Sequence, residues 1–239
     1  MIARAGIALS AALMMTCMAS AGEKKYDPGA NDIEIKLGQT VPYSGPASAF
    51  SSYGRVVTGY FAMINAQGGI NGRKIDLISL DNAYSPPKAL EQTRKLVEED
   101  GVLADTGTVG TTPNSAIQKY LNQKKIPHLF LSAGGSRFND PKTFPWSVPL
   151  YPAFNMEGQT FGKYVLKIKP DAKIAVLYQN DDYGRDFLTG LEAVLGAGSA
   201  KIVSDVCVIA LSTASANSMR RLWIFCSIST KSGRSVVSA

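Results

Sequence analysis

The sequence predicts an α/β protein with parallel sheets, divided into two lobes. Apolar runs of strand length alternate with stretches whose apolar residues recur at helical spacing. The links between them are short and punctuated by Gly and Pro. The alternation is interrupted once, around Pro145, Pro149 and Pro152, which marks a lobe boundary. Such alternation requires parallel strands joined by right-handed crossovers.

Each element has its own warrant. Ile33 to Val41 alternates apolar and polar residues and suits a first strand. Tyr53 to Gln67 carries Val57, Tyr60, Phe61 and Ile64 on one side of a helix, and Gly68-Gly69 ends it. Lys74 to Leu80 is a second strand. Pro86-Pro87 opens a helix running to about Glu99, because a first turn needs no amide donors. Val102 to Thr106 is a third strand and Thr112 to Asn122 a third helix. Pro127 to Ser132 is a fourth strand, apolar in a run, as expected where both faces are covered. Past the proline break, Phe154 to Ile168 reads as a helix, Lys173 to Tyr178 as a buried strand, Asp182 to Leu195 as a helix stopped by Gly196 and Gly198, and Lys201 to Val206 as a strand. The expected domains are residues 22–147 for the first lobe and 148–206 for the start of the second.

After Val206 the composition changes. Residues 207–239 hold eight serines, one glycine and no acid. Ser218 to Ile228 is apolar, yet no strand-helix unit is legible. The stretch is either an ordinary polar tail or a frame-shifted or foreign segment not native to the fold, and the loss of rhythm favours the second.

Residues 1–21 read as a secretory signal peptide: Arg4, an apolar stretch from Ala5 to Ala19, and the small-x-small site Ala19-Ser20-Ala21. The competing readings are an uncleaved anchor and a lipoprotein modified at Cys17, for which Met14-Met15-Thr16 is a poor context. The remaining chain, about 218 residues, is long enough for a core without disulfides. The other two cysteines, Cys207 and Cys226, fall near the end, so residues 22–206 offer no thiol nucleophile or disulfide framework. The formal charge of +6 is mostly peripheral. Without Arg4 and the four basic residues of the tail, about +1 remains, which gives no footprint for nucleic acid.

In an open α/β sheet ligands bind at the carboxyl ends of strands, and here those ends are rich in small and hydroxyl residues. Gly110-Thr111-Thr112 puts amides and hydroxyls at a helix start, which suits a carboxylate; Thr112 alone reads equally well as an N-cap. Gly134-Gly135-Ser136 allows close backbone approach beside a donor, or is only a tight turn. Asp182 reads as an N-cap. Tyr183 beside it is either an aromatic able to close over a ligand or a surface residue of a first turn.

Catalysis is poorly supported. The single histidine, His128, lies inside a strand segment and reads as a satisfied core residue. No second histidine or cysteine cluster offers a metal site, and no cofactor motif is present. We expect no enzyme, no cofactor and no metal.

Five stretches, taken in order, carry a resemblance: Ser44-Gly45-Pro46, Ile64 to Lys74 (INAQGGINGRK), the Asp81 to Pro87 loop, the Ser132 to Ser136 loop, and Asp182-Tyr183-Gly184. They resemble the periplasmic solute-binding proteins of ABC transporters of the leucine/isoleucine/valine-binding type. The resemblance covers about residues 32–206. It implies two Rossmann-like lobes of the type I periplasmic binding fold with the ligand between them. It also implies a carboxylate held by Gly110, Thr111, Thr112, Gly134, Gly135 and Ser136, a pocket aromatic at Phe50 or Tyr53, and closure by Tyr183. The partners so implied are a small-molecule ligand and permease subunits at the membrane, with a monomeric protein in the periplasm. The ligand class would be a branched-chain or related amino acid. Aromatic carboxylates, small amides, a non-functional truncated relative and a receptor ectodomain stand as alternatives. Family members are considerably longer, so the second lobe is expected to be incomplete, with weak closure and weak binding.

Overall fold

The computed structural model describes residues 25–171, 173–196, 202–208 and 223–227, the last two as backbone only. The signal-peptide expectation and most of the tail lie outside these residues.

The first lobe is a parallel sheet in the order β2-β1-β3-β4-β5. Its strands are β1 (Glu34–Val41), β2 (Lys74–Asp81), β3 (Ala104–Thr106), β4 (His128–Leu131) and β5 (Ser147–Pro149). Helices α1 (Ser51–Ala66), α2 (Pro86–Glu98) and α3 (Thr111–Lys124) form the crossovers. The chain winds from β1 to β2 in one direction and from β3 to β5 in the other. The switch point therefore falls between β1 and β3, where the crevice of an open sheet opens. The core beneath α2 and α3 is built on Ala89, Ile117 and Leu121.

The second lobe begins with α4 (Phe154–Ile168), β6 (Lys173–Gln179) and α5 (Asp182–Leu195). β6 is the middle strand of three. β7 (Ile202–Val208) pairs with it in parallel and β8 (Trp223–Ser227) antiparallel. β8 thus falls within the stretch that shows no legible rhythm. Val165, Ile174, Val176, Phe187, Leu191 and Leu195 form the buried core of this lobe; burying each large aliphatic side chain is worth about 1.5–3 kcal/mol. The helices α4 and α5 approach backbone to backbone. A Cβ on Gly158 would lie 2.2 Å from the Phe187 carbonyl oxygen, and one on Gly190 2.0 Å from that of Asn155.

Three local expectations are corrected. On α1 the stripe toward the sheet runs Gly54, Val57, Phe61, Ile64, while Tyr60 is exposed. β4 is not covered on both faces: Phe130 is 53 % exposed, because its φ of +54° and a register shift between Leu129 and Leu131 turn it outward. The proline-rich boundary also contains a strand, β5, short because Pro149 ends the ladder.

Candidate functional site

The loops at the carboxyl ends of β2, β3 and β4 meet the start of α5, and the loop after β1 is clamped by Asp81 at the end of β2. Its carboxylate accepts from the Tyr43 and Ser44 amides, the Ser44 hydroxyl, the Ala83 amide and Lys88 Nζ. Burial alone would raise this carboxyl, but the bonds from Lys88, Ser44 and Ala83 outweigh it and hold it far below the usual carboxylate range. The Ser44-Gly45-Pro46 turn is thereby tied to β2.

Next in the chain, Ala83 and Tyr84 are consecutive left-handed residues, with φ +48° and +57°. The Asp81 and Asn82 side chains stabilise them by accepting from the amides two residues on. This swings the Tyr84 ring against Gly110, where a Cβ would lie 2.5 Å from Tyr84 Cε2. Gly110 has φ +106°, so both backbone and space demand glycine there. Burial pushes the Tyr84 phenol up to about 12, with Asp181 adding and the neighbouring Gln179, Thr112 and Thr111 amide opposing. Tyr84 therefore joins both lobes as a neutral phenol.

The Gly110 loop is held from inside by a buried polar network. Asn114 Nδ2 donates to the Thr108 carbonyl at 2.8 Å and the Gly110 carbonyl at 2.7 Å. That commits its Oδ1 to accept from His128 Nε2 at 2.8 Å. His128 is fully buried, and burial pushes it down to about 3, so it is neutral and protonated on Nε2. Asp105 lies 3.7 Å from His128 and accepts from Thr108 Oγ1; burial pushes it up to about 7. The lone histidine thus supports a loop, buried away from any cleft.

Across the seam, donors of the first lobe meet carboxylates at the start of α5. Thr112 Oγ1 donates to Asp181 at 3.0 Å, and Ser115 Oγ and Arg137 each reach Asp182 at 3.2 Å. Ser136 donates to Asp186 with its amide and, at 2.8 Å, with its hydroxyl. The N-cap of α5 is Asp181, which accepts from the Gly184 amide. Asp182, expected to be the cap, is the first helical residue. Its carboxylate instead faces Ser115 and Arg137 of the first lobe. Likewise Gly110, not Thr112, caps α3.

The aromatic residues separate. Tyr183 packs edge-on against Phe154 with centroids 4.5 Å apart, and burial pushes its phenol up to about 12. It is half-buried there. Phe154 in turn lies against Gly134. The Tyr53 hydroxyl lies over Gly107, 2.6 Å from where a Cβ would be, and burial, then Tyr151, raises its pKa. Phe50 caps α1 and is 48 % exposed. Contacts through Tyr84, Phe154, Asp181 and Asp186 thus link Gly110, Thr112, Gly134, Ser136 and Tyr183, with Gly135 beside the Thr111 methyl. Tyr53 stands at the β3 end of the same crevice. Tyr84, Phe154 and Asp186 were not singled out from sequence. Asp81-Asn82 before Tyr84 was the available signal for the first, and the i, i+4 pair Asp182/Asp186 for the last. Among the described residues, no cluster of His, Cys, Asp or Glu is placed to hold a metal ion, and no helix is long and apolar enough to cross a membrane.

A family profile described as periplasmic binding protein matches residues 34–219. The chain belongs to the periplasmic binding protein family, and its two-lobed α/β architecture is the type I fold of that family. It is 24% identical over 190 residues to the leucine-, isoleucine-, valine-, threonine-, and alanine-binding protein of Pseudomonas aeruginosa, covering 79% of this chain and 50% of that protein. Two solved structures share the fold. One is a branched-chain amino acid transporter substrate-binding protein from Streptococcus pneumoniae in complex with isoleucine (TM-score 0.63, 23% identity, covering 74% of this chain and 50% of that one). The other is an ABC transporter solute-binding protein from R. palustris in complex with benzoate (TM-score 0.62, 25% identity, covering 73% and 48%). The chain spans about half the length of the curated relatives it matches.

Proposed function

We propose that this chain is the solute-binding component of an ABC transporter. In this reading it is exported by a cleaved signal at residues 1–21, holds a small carboxylate between its lobes in the periplasm and hands it to a membrane permease as a monomer, with no catalytic step. The observation that carries the reading is the convergence of two strand-end loops, Gly110–Thr112 and Gly134–Ser136, on a seam walled by Tyr84, Phe154 and Tyr183. Backbone amides and hydroxyls beside glycines suit an anionic group, and bound ligand favours the closed state by touching both lobes.

The ligand class proposed first is a branched-chain or related amino acid, in line with the named relatives. The edge-to-face pair Phe154–Tyr183, with Tyr84 and Tyr53 nearby, supports an aromatic carboxylate as a second reading. Calorimetric titration with L-leucine, L-isoleucine, benzoate and 3,4-dihydroxybenzoate, each beside its carboxamide, tests both. We expect one carboxylate to bind at least about ten-fold more tightly than its amide, the worth of a hydrogen bond to a charged group. An amide that binds as well as the acid selects the small-amide reading. No binding by any of the eight compounds overturns the proposal.

A further inference from the structure

Among the seam's three acceptors, Asp186 differs from its neighbours. Asp181 is the N-cap of its own helix, and Asp182 faces the cation Arg137. Asp186 lies one turn into α5, and its two oxygens engage one residue: Oδ2 accepts from the Ser136 amide and Oδ1 from the Ser136 hydroxyl. An amide and a hydroxyl of one serine gripping both oxygens of one carboxylate form a bidentate, charge-assisted contact. Ser136 follows Gly134-Gly135 at the carboxyl end of β4 and opens the 3-10 turn Ser136–Asn139. These donors are the ones the loop would offer to a ligand anion.

We infer that Asp186 is a resident carboxylate of this cradle and a specificity-determining residue of the cleft. It occupies the Ser136 donors when no ligand is bound, and a ligand carboxylate takes them by displacing it. Two carboxylates cannot share the pair, because each donor has one proton to give and like charges at that separation repel. Asp186 therefore sets a threshold: anions that pair weakly with Ser136 are refused, and neutral ligands that leave the serine alone are unaffected. The inference rests on the carboxylate reading of the cleft given above.

Asp186→Ala and Asp186→Asn test it. With L-isoleucine and benzoate as probes, at least one should bind both variants at least about ten-fold more tightly than the wild type. Benzamide, which is neutral, should change less than threefold. The second readout needs no ligand: the Ser136 amide, followed by NMR, should shift upfield and exchange faster in Asp186→Ala than in the unliganded wild type. Carboxylate affinity that is unchanged or weaker in both folded variants overturns the displacement. A Ser136 amide indifferent to Asp186→Ala overturns the resident contact itself. Absence of carboxylate binding by wild type and variants alike, with the amide responding as expected, overturns the displacement together with the carboxylate reading and leaves the contact standing.

Discussion

Asn114→Ala should loosen the Gly110 loop from within. Asn114 is fully buried and makes three side-chain bonds, to the Thr108 carbonyl, the Gly110 carbonyl and His128 Nε2. Alanine removes all three, but the losses are unequal. The Gly110 carbonyl keeps the Asn114 amide at 3.1 Å, and the Thr108 carbonyl keeps the Ser132 amide at 3.0 Å. Those two bonds cost about 1 kcal/mol each. His128 Nε2–H keeps no acceptor, which adds about 1–3 kcal/mol for a buried orphan donor. The expected loss is thus about 3–5 kcal/mol. Urea unfolding at pH 7, followed by far-UV circular dichroism, reads it as a lower midpoint at constant slope. A loss below about 1 kcal/mol refutes the reasoning. Asn114→Asp sharpens the test. It keeps an acceptor for His128 but turns an acceptor toward two carbonyls, so it should cost at least as much as alanine. A milder effect would mean that the amide is oriented the other way.

The buried pair beside it carries a pH signature. Asp105, pushed up to about 7, keeps its proton in the folded chain between about pH 4 and 7, where the unfolded chain has lost it; alone, this makes stability fall as pH rises. His128, pushed down to about 3, is neutral in the folded chain between about pH 3 and 6.5, where the unfolded chain is charged; alone, this makes stability rise with pH. The slopes oppose each other from about pH 4 to 6.5. Relative to wild type, Asp105→Asn should therefore gain stability from pH 4.5 to 6, by up to about 1.4 kcal/mol per unit, and His128→Asn should lose it. Urea midpoints that move in parallel for all three proteins refute the assignment. Two glycines give a paired test by thermal denaturation. Gly190→Ala drives a methyl into the Asn155 carbonyl and should cost about 3 kcal/mol, whereas Gly59→Ala meets nothing within 4 Å on the exposed side of α1 and should gain about 0.5–1 kcal/mol. Equal effects would mean that α4 and α5 are not in backbone contact.

What was legible from sequence was local. Helix starts at Pro86-Pro87 and stops at Gly68-Gly69 follow from φ limits and missing donors, which neighbouring residues determine. The strand-end loops were legible because glycines and hydroxyls cluster there. The contacts that turn these loops into a seam were not. Ser136 and Asp186 are fifty positions apart, and nothing in either segment requires the other. The Tyr84 ring reaches Gly110 only because two successive residues adopt left-handed backbone, which Ala83 disfavours on its own and the Asp81 and Asn82 side chains hold in place. Phe130 misled for the opposite reason: its apolar run reads as a covered strand, while a register shift against β5 turns the side chain out.

The backbone contact between α4 and α5 has a mechanical consequence. Helices touching backbone to backbone at Gly158 and Gly190 resist sliding along one another, which makes the pair a stiff arm. Its fulcrum lies just before Phe154, whose amide is pinned to the Gly134 carbonyl at 2.7 Å. Tyr183, Asp182 and Asp186 all ride on the arm. A small rotation at residues 150–153 would therefore carry the ring and both carboxylates away from the first lobe together.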